Sequence, residues 1–94
     1  NEAAAEIADH VMRIRDGAKC RWCGRQEFGK RSDGVQCRWP DVHHIDGDKA
    51  NCATSNLMSL CRSCHCSLGR DPYYIEIFRR MVAAFEAAAR EAAA

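Results

Sequence analysis

Two Cys-x2-Cys pairs, Cys20-Arg-Trp-Cys23 and Cys61-Arg-Ser-Cys64, bracket the middle of the chain. Two cysteines with two residues between them can turn both sulfurs toward one tetrahedral ion, and two such pairs complete its coordination. The spacing predicts a structural zinc held by Cys20, Cys23, Cys61 and Cys64. The insert between the pairs is longer than in a compact zinc ribbon, so something must be built within it. The competing use of these residues is a pair of disulfides. Seven cysteines is an odd number, no apolar leader precedes them and histidine lies among them, which fits a reducing, cytoplasmic setting better. Cys37, Cys52 and Cys66 are left over. Buried small side chains are the expectation for them, with Cys66 as a stray metal ligand beside His65 the alternative.

Length agrees with a zinc staple. Residues 1–94 make one domain with room for only a modest core. A structural zinc contributes on the order of 10 kcal/mol to folding, which dominates the stability of so small a unit. No apolar run approaches the ~18 residues of a membrane span. A chain that starts at Asn1 is expected to be a processed or trimmed product. The net charge of +1 conceals an asymmetry. Between Arg13 and Arg38 lie eight basic residues against Asp16, Glu27 and Asp33. Such a local positive field can engage phosphates, and Arg21, Arg25, Lys30, Arg31 and Arg38 are its candidate nucleic-acid contacts. A merely solvated face is the plainer use of the same charges.

The pattern along the chain predicts an α+β fold, a zinc-stapled core flanked by two helices. Residues 1–16 read as the first helix, with Ala4, Ile7, Val11 and Ile14 at helical spacing, an Asp9–Arg13 pair and a stop at Gly17. The core is expected over 20–69. Asp33-Gly34 predicts a hairpin turn within 26–39. Val42–Ile45 and Asn56–Leu60 read as short strands around a polar loop, and a short helix carrying His65 stops near Gly69. Asp71-Pro72 opens a last helix over 72–93. Tyr74, Ile75, Phe78, Met81, Val82, Phe85 and Ala89 give that helix an apolar stripe, expected to pack on the first helix.

His43-His44, Asn56 and His65 lie where chemistry can be placed. Cutting a phosphodiester needs an activated water, stabilisation of charge on phosphate and help for the leaving oxygen. Histidine, with an ordinary pKa near 6.5, suits proton abstraction at neutral pH. A bound divalent cation supplies the other two needs. Neighbours on a regular strand face opposite ways, so His43 and His44 reach one phosphate only if the chain bends beside them.

In this order the residues resemble the HNH endonucleases, whose ββα-metal unit is matched by Val42-His43-His44-Ile45-Asp46-Gly47-Asp48, Asn56-Leu57 and Cys61-Arg-Ser-Cys64-His65. The resemblance spans residues 20–65. It implies His43 as first metal ligand, His44 as general base, Asn56 as the brace of the base's loop and His65 as second metal ligand. Cys20, Cys23, Cys61 and Cys64 match the zinc knuckles that many members add. Many proteins of this look are small phage or mobile-element nucleases, so DNA is the implied substrate. Targeting by a larger nucleoprotein or packaging complex is the implied context, in keeping with a surface too small for long-site recognition. Two protein ligands leave room for Mg2+ or Mn2+, and imidazoles also accept Ni2+ or Zn2+.

Two other readings use the same residues. A non-catalytic zinc module would bind nucleic acid or protein through the basic segment. An adaptor would use the stripe of the last helix, and that reading fails if the stripe is buried within the chain. Trp22 and Trp39 are candidates for base stacking, although packing beside the zinc fits Trp22 better.

Overall fold

The computed structural model describes residues 2–93. Among these it is an α+β fold of three α-helices and one two-stranded antiparallel sheet. Helix α1 (Glu2–His10) runs into a π-helical turn (Val11–Arg15). Strand β1 (Asp41–His44), strand β2 (Leu57–Leu60), helix α2 (Arg62–Leu68) and helix α3 (Ile75–Ala93) follow. No helix of the described residues is long and apolar enough to cross a membrane.

The first departure from expectation lies in the N-terminal helix. The Asp9–Arg13 pair forms, at 2.9 Å, but regular α-helix ends at His10. Beyond it the Asp16 N–H donates to the Val11 carbonyl at 3.0 Å, the wider repeat of a π turn. Each residue added to a turn rotates the following side chains by about 100°. The expected stripe is therefore broken after Val11: Val11 is buried as expected, but Ile14 is exposed and Met12 and Asp16 are buried in its place, and Ile7, before the turn, is exposed too. Gly17, at φ +66°, ends the segment as expected.

Buried Asp16 has a complete set of partners. Its carboxylate accepts from the Ser59 N–H at 3.0 Å and from Arg15 at 2.9 and 3.2 Å. Arg15 in turn donates to the carbonyls of Thr54 and Leu57 and lies 3.5 Å from the Glu86 carboxylate. One ion pair thus ties the π turn to β2 and α3. Truncating one member of such a pair strands the other charge, at about 3–5 kcal/mol.

Between the knuckle and β1 the expected hairpin shrinks to a single bridge, Lys30 with Gln36, around the Asp33-Gly34 turn. Val35 is exposed and Phe28 is the buried apolar side chain here, too little to hold one face of a longer ribbon. Each core strand begins one residue away from expectation, β1 at Asp41 and β2 at Leu57. Their register pairs Asp41 with Leu60, Val42 with Ser59, His43 with Met58 and His44 with Leu57.

The core gathers Cys20, Phe28, Ile45, Met58, Leu60, Cys61, Phe78 and Val82. Burying a side chain such as Phe78 or Val82 stabilises by about 1.5–3 kcal/mol. Tyr74, Ile75, Met81 and Phe85 pack on the same cluster, so most of the α3 stripe is spent inside the chain. The adaptor reading loses its support. Helix α3 packs chiefly on the 3-10 turn Thr54–Asn56 that leads into β2, then on β2 and the π turn, rather than along α1. Asp71 caps its entrance by accepting from the Tyr73 N–H at 3.0 Å.

Candidate functional site

The four sulfurs of Cys20, Cys23, Cys61 and Cys64 lie within 4.8 Å of one another. Cys23 Sγ and Cys61 Sγ are 3.8 Å apart. Ligands ~2.3 Å from a tetrahedral zinc sit about 3.8 Å apart, so the cluster is close to the size that ion needs. Backbone N–H groups of Cys23 and Cys64 point at Cys20 Sγ and Cys61 Sγ, each at 3.5 Å. Burial pushes the Cys20 thiol up, but N–H groups of Cys23, Cys61 and Trp22 outweigh it and bring the group to about 7. Burial, then the crowding of its fellow thiols, pushes Cys64 up. A cation among the sulfurs removes that conflict. Trp22, between the paired ligands, sits edge-on to Tyr74 and Phe78 with ring centres 5.6 and 5.7 Å apart.

This cluster orders the second site. Cys61 is the N-cap of α2, its sulfur accepting from Cys64, so the metal clamp fixes the helix that carries His65. Strand alternation places Asp41 and His43 on one face of β1, and both meet His65. Asp41 Oδ2 is 2.9 Å from His65 Nδ1. The His43 and His65 rings are 5.1 Å apart, and His43 lies edge-on to Phe78 at 5.8 Å. An ionised carboxylate only accepts, so Asp41 assigns the proton to Nδ1 and leaves the Nε2 lone pair of His65 free. Burial first, then the charges of His65 and His44, hold His43 down at about 4. It is therefore neutral at physiological pH, with a lone pair to offer. The ring spacing suits two ligands of one ion held ~2.0–2.1 Å from a nitrogen of each. Among the described residues the cysteines form the one group with three or more closely gathered donors. The histidine centre offers two.

His44 is on the opposite face of β1, yet His43, His44 and His65 all line a single open cleft of about 700 Å³. The cleft wraps the free edge of this two-stranded sheet. The chain turns directly after His44, whose carbonyl accepts from Gly47 at 2.9 Å, with Gly47 at φ +79°. Asn56 is buried and ties the two ends of the loop together. Its side chain accepts from the Asp46 N–H at 3.1 Å and donates to Asp46 at 2.9 Å and to the Asn51 carbonyl at 3.0 Å. Hydrogen bonds from Asn51, the Asp48 N–H and Asn56 hold the Asp46 carboxyl down at about 2. Those lone pairs serve the loop.

The sequence-predicted basic contacts are divided. Arg21 is turned inward, 3.9 Å above the Phe85 ring and 3.9 Å from Asp16. Arg31 is paired with Asp33 at 2.8 Å. Arg25, Lys30 and Arg38 remain exposed, away from the histidine cleft. Trp39 lies under the Arg13 guanidinium at 4.1 Å. Of the spare cysteines, Cys37 and Cys52 are partly buried, but Cys66 is exposed and lines the cleft. Its place on the outer face of α2 leaves nothing to cover it.

Asp41 and Gly69 were missed in the sequence. The step of two from His43 was the signal for Asp41, and the helical step of four from His65 was the signal for Gly69. A Cβ on Gly69 would lie 2.5 Å from the His65 carbonyl oxygen, 3.0 Å from His65 Cδ2 and 3.1 Å from His43 Cε1. The backbone there is right-handed helical, so alanine meets no conformational objection, only crowding. Gly69→Ala is expected to shift the ring resonances of both His43 and His65 in an NMR spectrum and to destabilise the fold by about 1–3 kcal/mol. Unmoved imidazole signals would contradict this packing.

No protein-family model matches this chain, and neither a curated protein nor a solved structure matches it.

Proposed function

We propose that this chain is a metal-dependent endonuclease of the HNH type that hydrolyses DNA phosphodiester bonds. The observation that carries the reading is the meeting of His43, His44 and His65 on one cleft, beside a separate cysteine cluster that leaves those histidines free. His43 and His65 would hold the divalent ion and Cys20, Cys23, Cys61 and Cys64 a structural zinc. The ion at the histidines would supply Lewis acidity toward the phosphate and its departing oxygen.

The chain's own residues do the rest. His44 accepts a proton from water as that water attacks phosphorus in line with the leaving 3′ oxygen. Asp41 fixes the ring of His65 and its tautomer. Asn56 closes the loop that follows His44, so the base is held at a rigid corner rather than a mobile one. Breaking the bond on the 3′-oxygen side leaves 5′-phosphate and 3′-hydroxyl ends. DNA nicked by this protein with a divalent ion present should therefore be resealed by DNA ligase without end repair. Nicks that ligase cannot close would contradict this chemistry, and uncut DNA would favour the non-catalytic zinc module.

A further inference from the structure

The cleft contains cations that no sequence motif singled out. Arg62 and Arg70 border it from the α2 side and Lys49 from the loop across it. Several arginines elsewhere are occupied: Arg13, Arg15, Arg31 and Arg80 each hold a carboxylate at 3.3 Å or less. Among the described residues Arg62, Arg70 and Lys49 have no carboxylate within 4.0 Å. Three unpaired cations around one concavity repel one another unless an anion enters, and the low-dielectric walls strengthen their joint field.

Their order along the helix is informative. Arg62 and Cys66, four residues apart, share one face of α2, and Arg70 follows in the turn after the helix ends at Leu68. All three line the cleft. The two arginines thus flank α2, Arg62 at its first residue and Arg70 just past its C-cap, Gly69. His65 lies between them. We propose that the cut DNA strand lies along the outer face of α2, with Arg62 and Arg70 on the phosphates to either side of the one at His65 and Lys49 closing on the backbone from across the cleft. The placement of the scissile phosphate rests on the nuclease reading; the docking of the backbone on α2 does not. On this view the main phosphate contacts are not Arg21 or Arg31, whose charges are already engaged.

The test is binding of a fluorescein-labelled DNA duplex to the full chain by anisotropy, over a series of salt concentrations and with no divalent ion added. Each of Lys49→Ala, Arg62→Ala and Arg70→Ala should weaken binding and reduce the log–log salt slope by about 1, one phosphate contact apiece. Arg80→Ala, whose partner is Glu76 on the exposed side of α3, should leave the slope unchanged. A second readout does not depend on substitution. Alkylation of Cys66 by iodoacetamide, mapped by mass spectrometry, should slow several-fold when the duplex is bound. Unchanged slopes in all three variants, or equal Cys66 labelling in free and bound protein, would overturn the docking face even if the protein cuts DNA. The expected slopes and shielding in a protein that cuts nothing would keep the docking face and remove the nuclease.

Discussion

His44→Ala should lower DNA cutting by about 10²- to 10⁴-fold, the usual worth of a general base, while zinc content and thermal stability stay near wild type. The expectation follows from where His44 sits. It ends β1 on the face away from His43, at a position half-covered by the cleft wall, and the sheet register is set by backbone pairing with Leu57. The imidazole is thus placed by the strand and not needed to hold it. His65→Ala should also stop cutting, for a different reason: it removes an imidazole from the divalent site and leaves Asp41 without its partner. Excess divalent ion should restore part of that loss and none of the loss in His44→Ala. Asn56→Ala should fall between, because it frees the loop ends without removing a reacting group. A His44→Ala protein that cuts at the wild-type rate would end the nuclease account.

The largest effect on stability is expected from the zinc clamp. The purified protein should carry one zinc per chain, and Cys61→Ser should leave it largely unfolded. A structural zinc contributes about 10–16 kcal/mol, as much as or more than the ~5–15 kcal/mol total stability of a domain of this kind. Cys61 is also fully buried in the core, so the change puts a hydroxyl among apolar side chains as it removes a ligand, even though serine can still cap α2. Circular dichroism of the variant should lack a cooperative melt, and elemental analysis should find the zinc missing. A native-like melting temperature without zinc would show that the core stands on hydrophobic packing alone.

Features written in short-range patterns were legible in the sequence. The Cys-x2-Cys spacing, the Asp71-Pro72 cap and the stripe from Tyr74 to Phe85 each need only their neighbours to be recognised, and the cluster, the cap and the packed helix all occur. The π turn was not legible, because nothing local distinguishes it from α-helix. It is stabilised by Asp16 reaching Ser59 far along the chain, and a pattern search treats a charged residue as a surface one. The same blindness hid the inward role of Arg15 and Arg21, which looked like part of a basic patch. In the candidate site, His43, His44, Asn56 and His65 could be singled out by residue type. Asp41 and Gly69 act through contacts made by strand alternation and helix phase, which become visible only once β1 and α2 are placed against each other. The unpaired state of Lys49, Arg62 and Arg70 is likewise a tertiary property, since pairing depends on which acids arrive nearby.

The central claim is that the histidine cleft is a divalent-metal phosphodiesterase separate from the zinc clamp. Conversion of supercoiled plasmid to nicked or linear forms, followed on a gel with zinc-loaded protein, tests it most directly. The account predicts no conversion when a mild chelator has removed loosely held ions, and conversion restored by Mg2+, Mn2+ or Ni2+ with zinc content unchanged throughout. Plasmid that stays supercoiled with every divalent ion, or that is cut equally fast in chelator, would contradict it.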